Sequence, residues 1–213
     1  MSVAERLDDV RARIASAARA TGRDADAVEL VVVTKSATIP QLMDAWNAGA
    51  ADFGENRAQD LIPKANAIPD GKGVRWHFIG RLQRNKVRSV SAVVSLWQSV
   101  DREELAQEIA HRALVRDVLV QVSLAGEEQK GGCPPHELDR LIDATQRSGC
   151  TVRGLMTVPP ASGDPRPVFS RLRALTDTAG LPVCSMGMSG DFEAAIAEGS
   201  TMVRVGSAIF AGD

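Results

Sequence analysis

Three groups of residues could do chemistry together. Lys35 closes the run LVVVTK (30–35), an ammonium one residue beyond Val31, Val32 and Val33. SMGMSGDFEAAIAEG (185–199) offers Ser189, Gly190 and Asp191, and RVGS (204–207) offers Arg204, Gly206 and Ser207. A lysine amine partly withdrawn from water attacks an aldehyde or ketone and forms a Schiff base. Free backbone N–H groups with hydroxyl donors beside them solvate a phosphate dianion, and glycine lets it approach closely. Arg204 stands among apolar Met202, Val203 and Val205. Strand alternation turns 203 and 205 away from its face, so a guanidinium there needs a buried acceptor.

Each residue also has a plainer reading. A lysine often ends a strand with its stem packed and its amine in water. Ser189 or Asp191 would serve as an ordinary helix N-cap, and Arg204 as a structural salt bridge to a carboxylate such as Glu55. His77, between Trp76 and Phe78, reads as a satisfied core histidine or as a metal or proton-transfer group; His111 and His136 lie far from it in sequence. No H-x-H, H-E-x-x-H or clustered Cys/His spacing supports a metal site. GEEQKGG (126–132) begins like a phosphate-binding loop of nucleotide hydrolases but lacks its closing Lys and Ser/Thr. Arg81, Arg84, Lys86 and Arg88 in GRLQRNKVRSV have no interleaved aromatics that would stack bases, so they read as a solvated helix face.

These groups need a frame that brings residues 35, 189 and 204 together. Apolar or β-branched runs at 30–35, 51–56, 76–80, 95–100, 117–124, 152–158, 183–189 and 202–206 predict eight strands. Helical spacing separates most of them, as in Leu42 with Trp46, Leu105 with Ile109, Leu138 with Leu141 and Ile142, Val168 with Leu172 and Leu175, and Phe192 with Ile196. Val3, Leu7, Val10, Ile14 and Ala18 predict a further, N-terminal helix ending near Gly22. Continuous apolar strands alternating with helices form a parallel sheet covered by its crossovers. Eight such units predict a closed (β/α)8 barrel; an open doubly wound sheet is the competing architecture, since barrels usually take about 250 residues.

In a barrel, chemistry gathers at the C-terminal ends of the strands. The predicted ends deliver Lys35, Glu55, Asn56, His77, Gly80, Met156, Ser189, Arg204, Gly206 and Ser207 to one rim. VPPASGDPRP (158–167) reads as a surface loop after the sixth strand.

The bulk properties narrow the partners. The chain has 213 residues, within the range of one domain, and a net charge of −2 with both signs interspersed, which gives no field for nucleic acid. Cys133, Cys150 and Cys184 are an odd set without C-x-x-C spacing, as expected in a reducing compartment such as the cytoplasm. No apolar run approaches the roughly 18 residues of a membrane span, and the N-terminus lacks a signal-peptide core, so a soluble protein is expected.

An aldehyde-reactive lysine, a phosphate cradle and an inward arginine together suit pyridoxal 5′-phosphate (PLP). The chain resembles the PLP homeostasis protein family, the YggS/PROSC group, whose fold is the barrel of the alanine racemase N-terminal domain. The motifs that carry this are VVVTK, FGENRAQD, WHFIGRLQRNK, GLMTVPP and SMGMSGDFEAAIAEGSTMVRVGSAIF, spread over nearly the whole chain. The resemblance implies one PLP-binding TIM barrel of fold type III over residues 1–213, with Lys35 carrying the cofactor as an internal aldimine. Ser189, Gly206 and Ser207 match its phosphate positions and Arg204 its pyridine-nitrogen partner. Asn56, His77 and Met156 fall in family motifs near the expected cofactor. Arg81 departs from the family, where many relatives have proline after HFIG.

The expected role is a cofactor carrier, a monomer that meets PLP and either PLP-dependent apoenzymes or amino acids, without robust turnover. An arginine stays protonated, so it donates to a neutral ring nitrogen and disfavours the pyridinium that makes PLP a strong electron sink. Racemases resembling this barrel take a second acid/base as a tyrosine from an added β domain, whereas this chain has no tyrosine and no length left for that domain. Two other readings keep Lys35: a barrel lyase or aldolase forming its Schiff base with a phosphorylated sugar, and a weak amino-acid racemase.

Overall fold

The computed structural model describes residues 1–69, 73–127 and 130–211. Eight strands pair in sequence order, all parallel, and the last pairs with the first to close a barrel. They are β1 (Glu29–Val33), β2 (Asp52–Glu55), β3 (Arg75–Phe78), β4 (Val94–Val100), β5 (Asp117–Gln121), β6 (Thr151–Met156), β7 (Val183–Ser185) and β8 (Met202–Val205). All eight strand positions expected from sequence are occupied, and the open sheet is excluded. All the strands but β4 stop short of their expected ends, β1 at Val33 and β7 at Ser185 among them. Lys35 therefore sits in a turn two residues beyond its strand, and Ser189 in the loop before the next helix.

Nine α-helices are described: α1 (Val3–Ala20), α2 (Ile39–Asn47), α3 (Ala58–Ala67), α4 (Arg84–Val90), α5 (Glu103–Arg112), α6 (Leu138–Arg147), α7 (Arg166–Thr178), α8 (Phe192–Ala197) and α9 (Ser207–Phe210). Helix α1 starts at a capping box between Ser2 and Glu5 and buries Val3, Leu7, Val10, Ile14 and Ala18. It packs on α8, α9 and α2, tying the ends of the chain together, and Arg6 donates to the Ile209 carbonyl at 2.8 Å.

Strand alternation makes two cores. Outward side chains such as Val32, Phe53, Trp76, Trp97, Val120, Leu155, Val203 and Val205 pack under the helices. Inward Val31, Leu119, Met156 and Met202 form a small apolar plug inside the barrel. Helix α4 buries Val87 and Val90 and leaves Arg84, Lys86 and Arg88 exposed, the solvated face that the sequence suggests. Within GEEQKGG, Glu128 and Gln129 lie outside the described residues.

Candidate functional site

A cavity of about 520 Å³ opens at the C-terminal mouth of the barrel, lined among others by Lys35, Asn56, Arg81, Lys130, Ser189, Arg204, Gly206 and Ser207. Six of the eight residues nominated from sequence thus meet at one place. His77 and Met156 do not line it. Met156 is in the apolar plug, and His77 is 2% exposed inside the barrel.

Lys35 reaches the cavity because β1 ends early and the chain turns outward after Thr34. The side chain is exposed and has no protein hydrogen bond or ion pair among the described residues. Its position is set from below. Lys64 of α3 donates to the Thr34 carbonyl, and the Thr34 hydroxyl donates to Glu55 Oε1 at 2.7 Å. Glu55 is fully buried and bound to Lys64, not to Arg204, so the salt bridge considered for Arg204 from sequence does not form. Sequence reasoning passed over Lys64, although its i, i+3 spacing from Leu61 on the buried face of α3 was a legible signal.

Loops seven and eight meet through Ser189, whose Oγ accepts the N–H groups of Gly206 at 3.2 Å and Ala208 at 3.3 Å. It is therefore not an N-cap of α8; that place belongs to Asp191, which caps no helix N–H and instead accepts the Met188 N–H at 2.6 Å. Burial pushes the Asp191 carboxyl above its ordinary range, against the Met188 hydrogen bond and the attraction of Arg204. A Cβ on Gly206 would lie 2.7 Å from the Val33 carbonyl oxygen, so only glycine lets loop eight close against the end of β1. A Cβ on Gly80 would strike the Asn56 carbonyl at 2.2 Å, which brings the third loop onto the second.

Arg204 is 4% exposed and inward, as its register opposite Val31 requires. Its Nη1 donates to Ser185 Oγ at 2.7 Å and its Nη2 to the Thr157 carbonyl at 2.8 Å. Burial pulls the guanidinium down to about 10, so it is still protonated at neutral pH. Two of its five N–H groups are used, and no carboxylate pairs with it among the described residues.

Below Arg204 a line of polar side chains crosses the barrel. The Ser185 hydroxyl donates to Gln98 Oε1 at 2.8 Å, and Gln98 Nε2 lies 2.8 Å from His77 Nδ1. His77 Nε2 lies 3.0 Å from Asp52 Oδ1. The Gln98 amide donates, so Nδ1 accepts and Nε2 carries the proton toward Asp52. His77 is thus a satisfied interior histidine. At the far rim Arg75 binds Asp52 at 2.6 Å and Glu29 at 2.6 Å. Burial pushes Asp52 upward, but the His77 and Arg75 hydrogen bonds outweigh it and hold the carboxyl below its ordinary range. Burial and the neighbouring Asp52 raise Glu29. The ligand atoms of Glu29, Asp52 and His77 lie within 4.8 Å of one another, a set that sequence spacing could not show because three strands contribute it. Arg75 already supplies the cation there.

The cavity suits a phosphorylated aldehyde. It offers one amine without a protein partner, the Ser189 and Ser207 hydroxyls beside Gly190 and Gly206, and a cationic floor. The buried Asn56 Oδ1, on the lining, has no hydrogen-bond partner. Among the described residues the lining contains no carboxylate, imidazole, thiol or phenol; its two amines are Lys35 and Lys130, and Lys130 is bound to Glu127 and the Pro159 carbonyl.

Residues 6–213 match the family described as alanine racemase, N-terminal domain. The pyridoxal phosphate homeostasis protein of Aquifex aeolicus is 42% identical, over 99% of this chain and 98% of its own. PipY of Synechococcus elongatus, solved without PLP, is 30% identical with a TM-score of 0.85, covering 98% of this chain and all of PipY. Its structure with PLP bound aligns at 29% identity and a TM-score of 0.79, with the same coverage.

Proposed function

Because the chain belongs to the family of the pyridoxal phosphate homeostasis proteins, which carry the alanine racemase N-terminal domain, we propose that it binds PLP for intracellular PLP homeostasis. The observation that carries this reading is that Lys35, the Ser189–Gly206–Ser207 cradle and Arg204 line one cavity. PLP supplies an aldehyde that condenses with an amine, and a ring nitrogen that tunes how well the ring accepts electrons. Lys35 is the amine that holds the aldehyde carbon. The Ser189 and Ser207 hydroxyls hold the phosphate, with Gly190 and Gly206 letting it approach the backbone, and Asn56 offers its unused oxygen to a donor. Arg204, kept cationic and oriented by Ser185 and Thr157, donates to the ring nitrogen and keeps it unprotonated.

That arrangement favours holding the cofactor over turning substrates over. Arg204 weakens the ring as an electron sink, and among the described lining residues the other amine, Lys130, is held by Glu127 and the Pro159 carbonyl. The same reading gives one cofactor-binding domain over residues 1–213, acting as a monomer in the cytoplasm and passing PLP to apoenzymes or meeting amino acids. The three described cysteines are free and buried, consistent with a reducing compartment.

The test is direct. Purified protein should be yellow, lose its visible band on borohydride reduction, and yield a pyridoxyl adduct on Lys35. A colourless protein that also fails to bind added PLP would overturn the reading. Incubation of the PLP-loaded protein with L-amino acids in heavy water should give no rapid Cα exchange; exchange at catalytic protein levels would make it an enzyme.

A further inference from the structure

Beside the cofactor cavity, and sharing Asn56 and Arg81 with it, lies a second cavity of about 640 Å³. Arg57 and Gln59 line it from the start of α3, Arg81, Gln83 and Lys86 from the third loop and α4, and Arg102 from the start of α5. Among the described residues the one carboxylate in the lining, Asp101, is bound to Arg102. Arg57, Arg81 and Lys86 are exposed and have no ion pair or side-chain hydrogen bond among the described residues. Three cations without partners therefore converge from separate elements on one concave surface, in a chain whose net charge is −2.

Clustering like charges in a cleft costs self-repulsion and raises the local concentration of anions. Two of the three are arginines, whose planar forks match a phosphate or a carboxylate. Helices α3 and α5, ten residues each, begin at this wall without side-chain caps, so their first N–H groups add to the positive field. The cofactor cavity has its own donors in loops seven and eight, on other elements, so the second cavity is not needed to hold the PLP phosphate.

We propose that this second cavity is a binding site for a small dianion, a phosphate ester or a dicarboxylate, which would lie against the cofactor through the shared Asn56–Arg81 wall. The site rests on geometry separate from Lys35 and stands even if the chain does not bind PLP.

Calorimetric titration of the full chain at low ionic strength tests it, using protein as purified and protein whose cofactor cavity has been filled with PLP and fixed by borohydride. Inorganic phosphate, phenyl phosphate and succinate are the probes, with glycerol as the uncharged control. The filled protein should bind one equivalent of at least one dianion and no glycerol. Phosphate or phenyl phosphate alone identifies a phosphate-ester site, succinate alone a dicarboxylate site, and both a general dianion site. Arg57→Gln/Lys86→Gln, which leaves the cofactor cavity intact, should weaken this binding about tenfold or more and leave the cofactor's visible band unchanged. No saturable dianion binding by the filled protein, or binding that the double substitution leaves unaltered, overturns the proposal. If the protein takes up no PLP, the reading of Lys35 fails while the same titration of the purified chain still decides the dianion site.

Discussion

Lys64 Nζ lies 2.5 Å from Glu55 Oε1, and both groups are almost wholly removed from solvent. The pair fixes two strand ends at once. Lys64 also donates to the carbonyl of Thr34, the residue before Lys35, and Glu55 Oε2 accepts the N–H of Asn56 at 3.2 Å. The turn that presents Lys35 and the loop that presents Asn56 therefore hang from one buried ion pair.

Removing one partner should cost more than removing both. Lys64→Met leaves Glu55 charged, buried and short of a donor, and should destabilise the fold by about 3 kcal/mol in denaturant titration. Lys64→Met/Glu55→Gln should recover part of that loss. Equal stability of the single and double variants would mean that an unpaired Glu55 charge is not what costs the single variant its stability.

Lys35→Ala should separate capture from folding. The side chain is exposed and touches no protein acceptor, so the melting midpoint should move by less than about 0.5 kcal/mol equivalent. Borohydride should then fix no pyridoxyl group at position 35, while PLP is still retained weakly through its phosphate. The same visible band in the variant would assign the colour to another amine.

Ser189→Ala removes the hydroxyl that accepts the Gly206 and Ala208 amides. The loss of one neutral hydrogen-bonding group is worth about 1 kcal/mol, so the PLP dissociation constant should rise about fivefold with Lys35 still able to react. Fluorescence titration reads this, and an unchanged constant would remove Ser189 from the cradle.

Arg204→Glu replaces a donor to the ring nitrogen by an acceptor. A protonated ring nitrogen should follow, with a shifted visible band and a changed affinity for PLP. An identical spectrum and an identical affinity would mean that the ring does not face Arg204.

Asp52 gives an acid-side signature. Its folded value lies below the ordinary value of 3.8, so the unfolded chain binds the proton more readily between the two. Its contribution to stability is present above about pH 5 and is lost as pH falls through the folded value. Urea midpoints recorded from pH 6 down to pH 2.5 should fall more steeply for the wild type than for Asp52→Asn. Parallel curves would show that the His77–Asp52–Arg75 contacts do not stabilise the fold.

Much of the fold was legible because its signals are local. LVVVTK, DVLVQVSL and MVRVG read as buried strands from their apolar runs alone, and α1 from five residues at helical spacing. The sequence predicts strands that run too far, to 35, 124 and 189, since apolar or β-branched residues such as Thr34, Val122 and Met186 continue past the last strand position and only pairing with a neighbour ends a strand. Helices α3 and α4 were faint: Pro63 and buried Lys64 blur the apolar stripe of α3, and α4 is short and cationic.

The site divides in the same way. Lys35, Ser189, Arg204, Gly206 and Ser207 were nominated from residue type and strand-end position, and the fold brings them to one cavity. His77 and Met156 carry the same kind of motif evidence, yet strand alternation and depth place them within the barrel, one hydrogen-bonded and one in the apolar plug.

By itself the sequence determined the alternation of strand and helix, the inward face of Arg204 and the side-chain chemistry available at each strand end, because periodicity and residue type are properties of short segments. Tertiary structure alone decided which charges meet. Glu55 lies with Lys64 and not Arg204, and Asp52 and His77 meet across adjacent strands. Arg57, Arg81 and Lys86 face one cavity from separate elements. Ion pairing and burial depend on distances between residues far apart in the chain, and closing the barrel sets those distances.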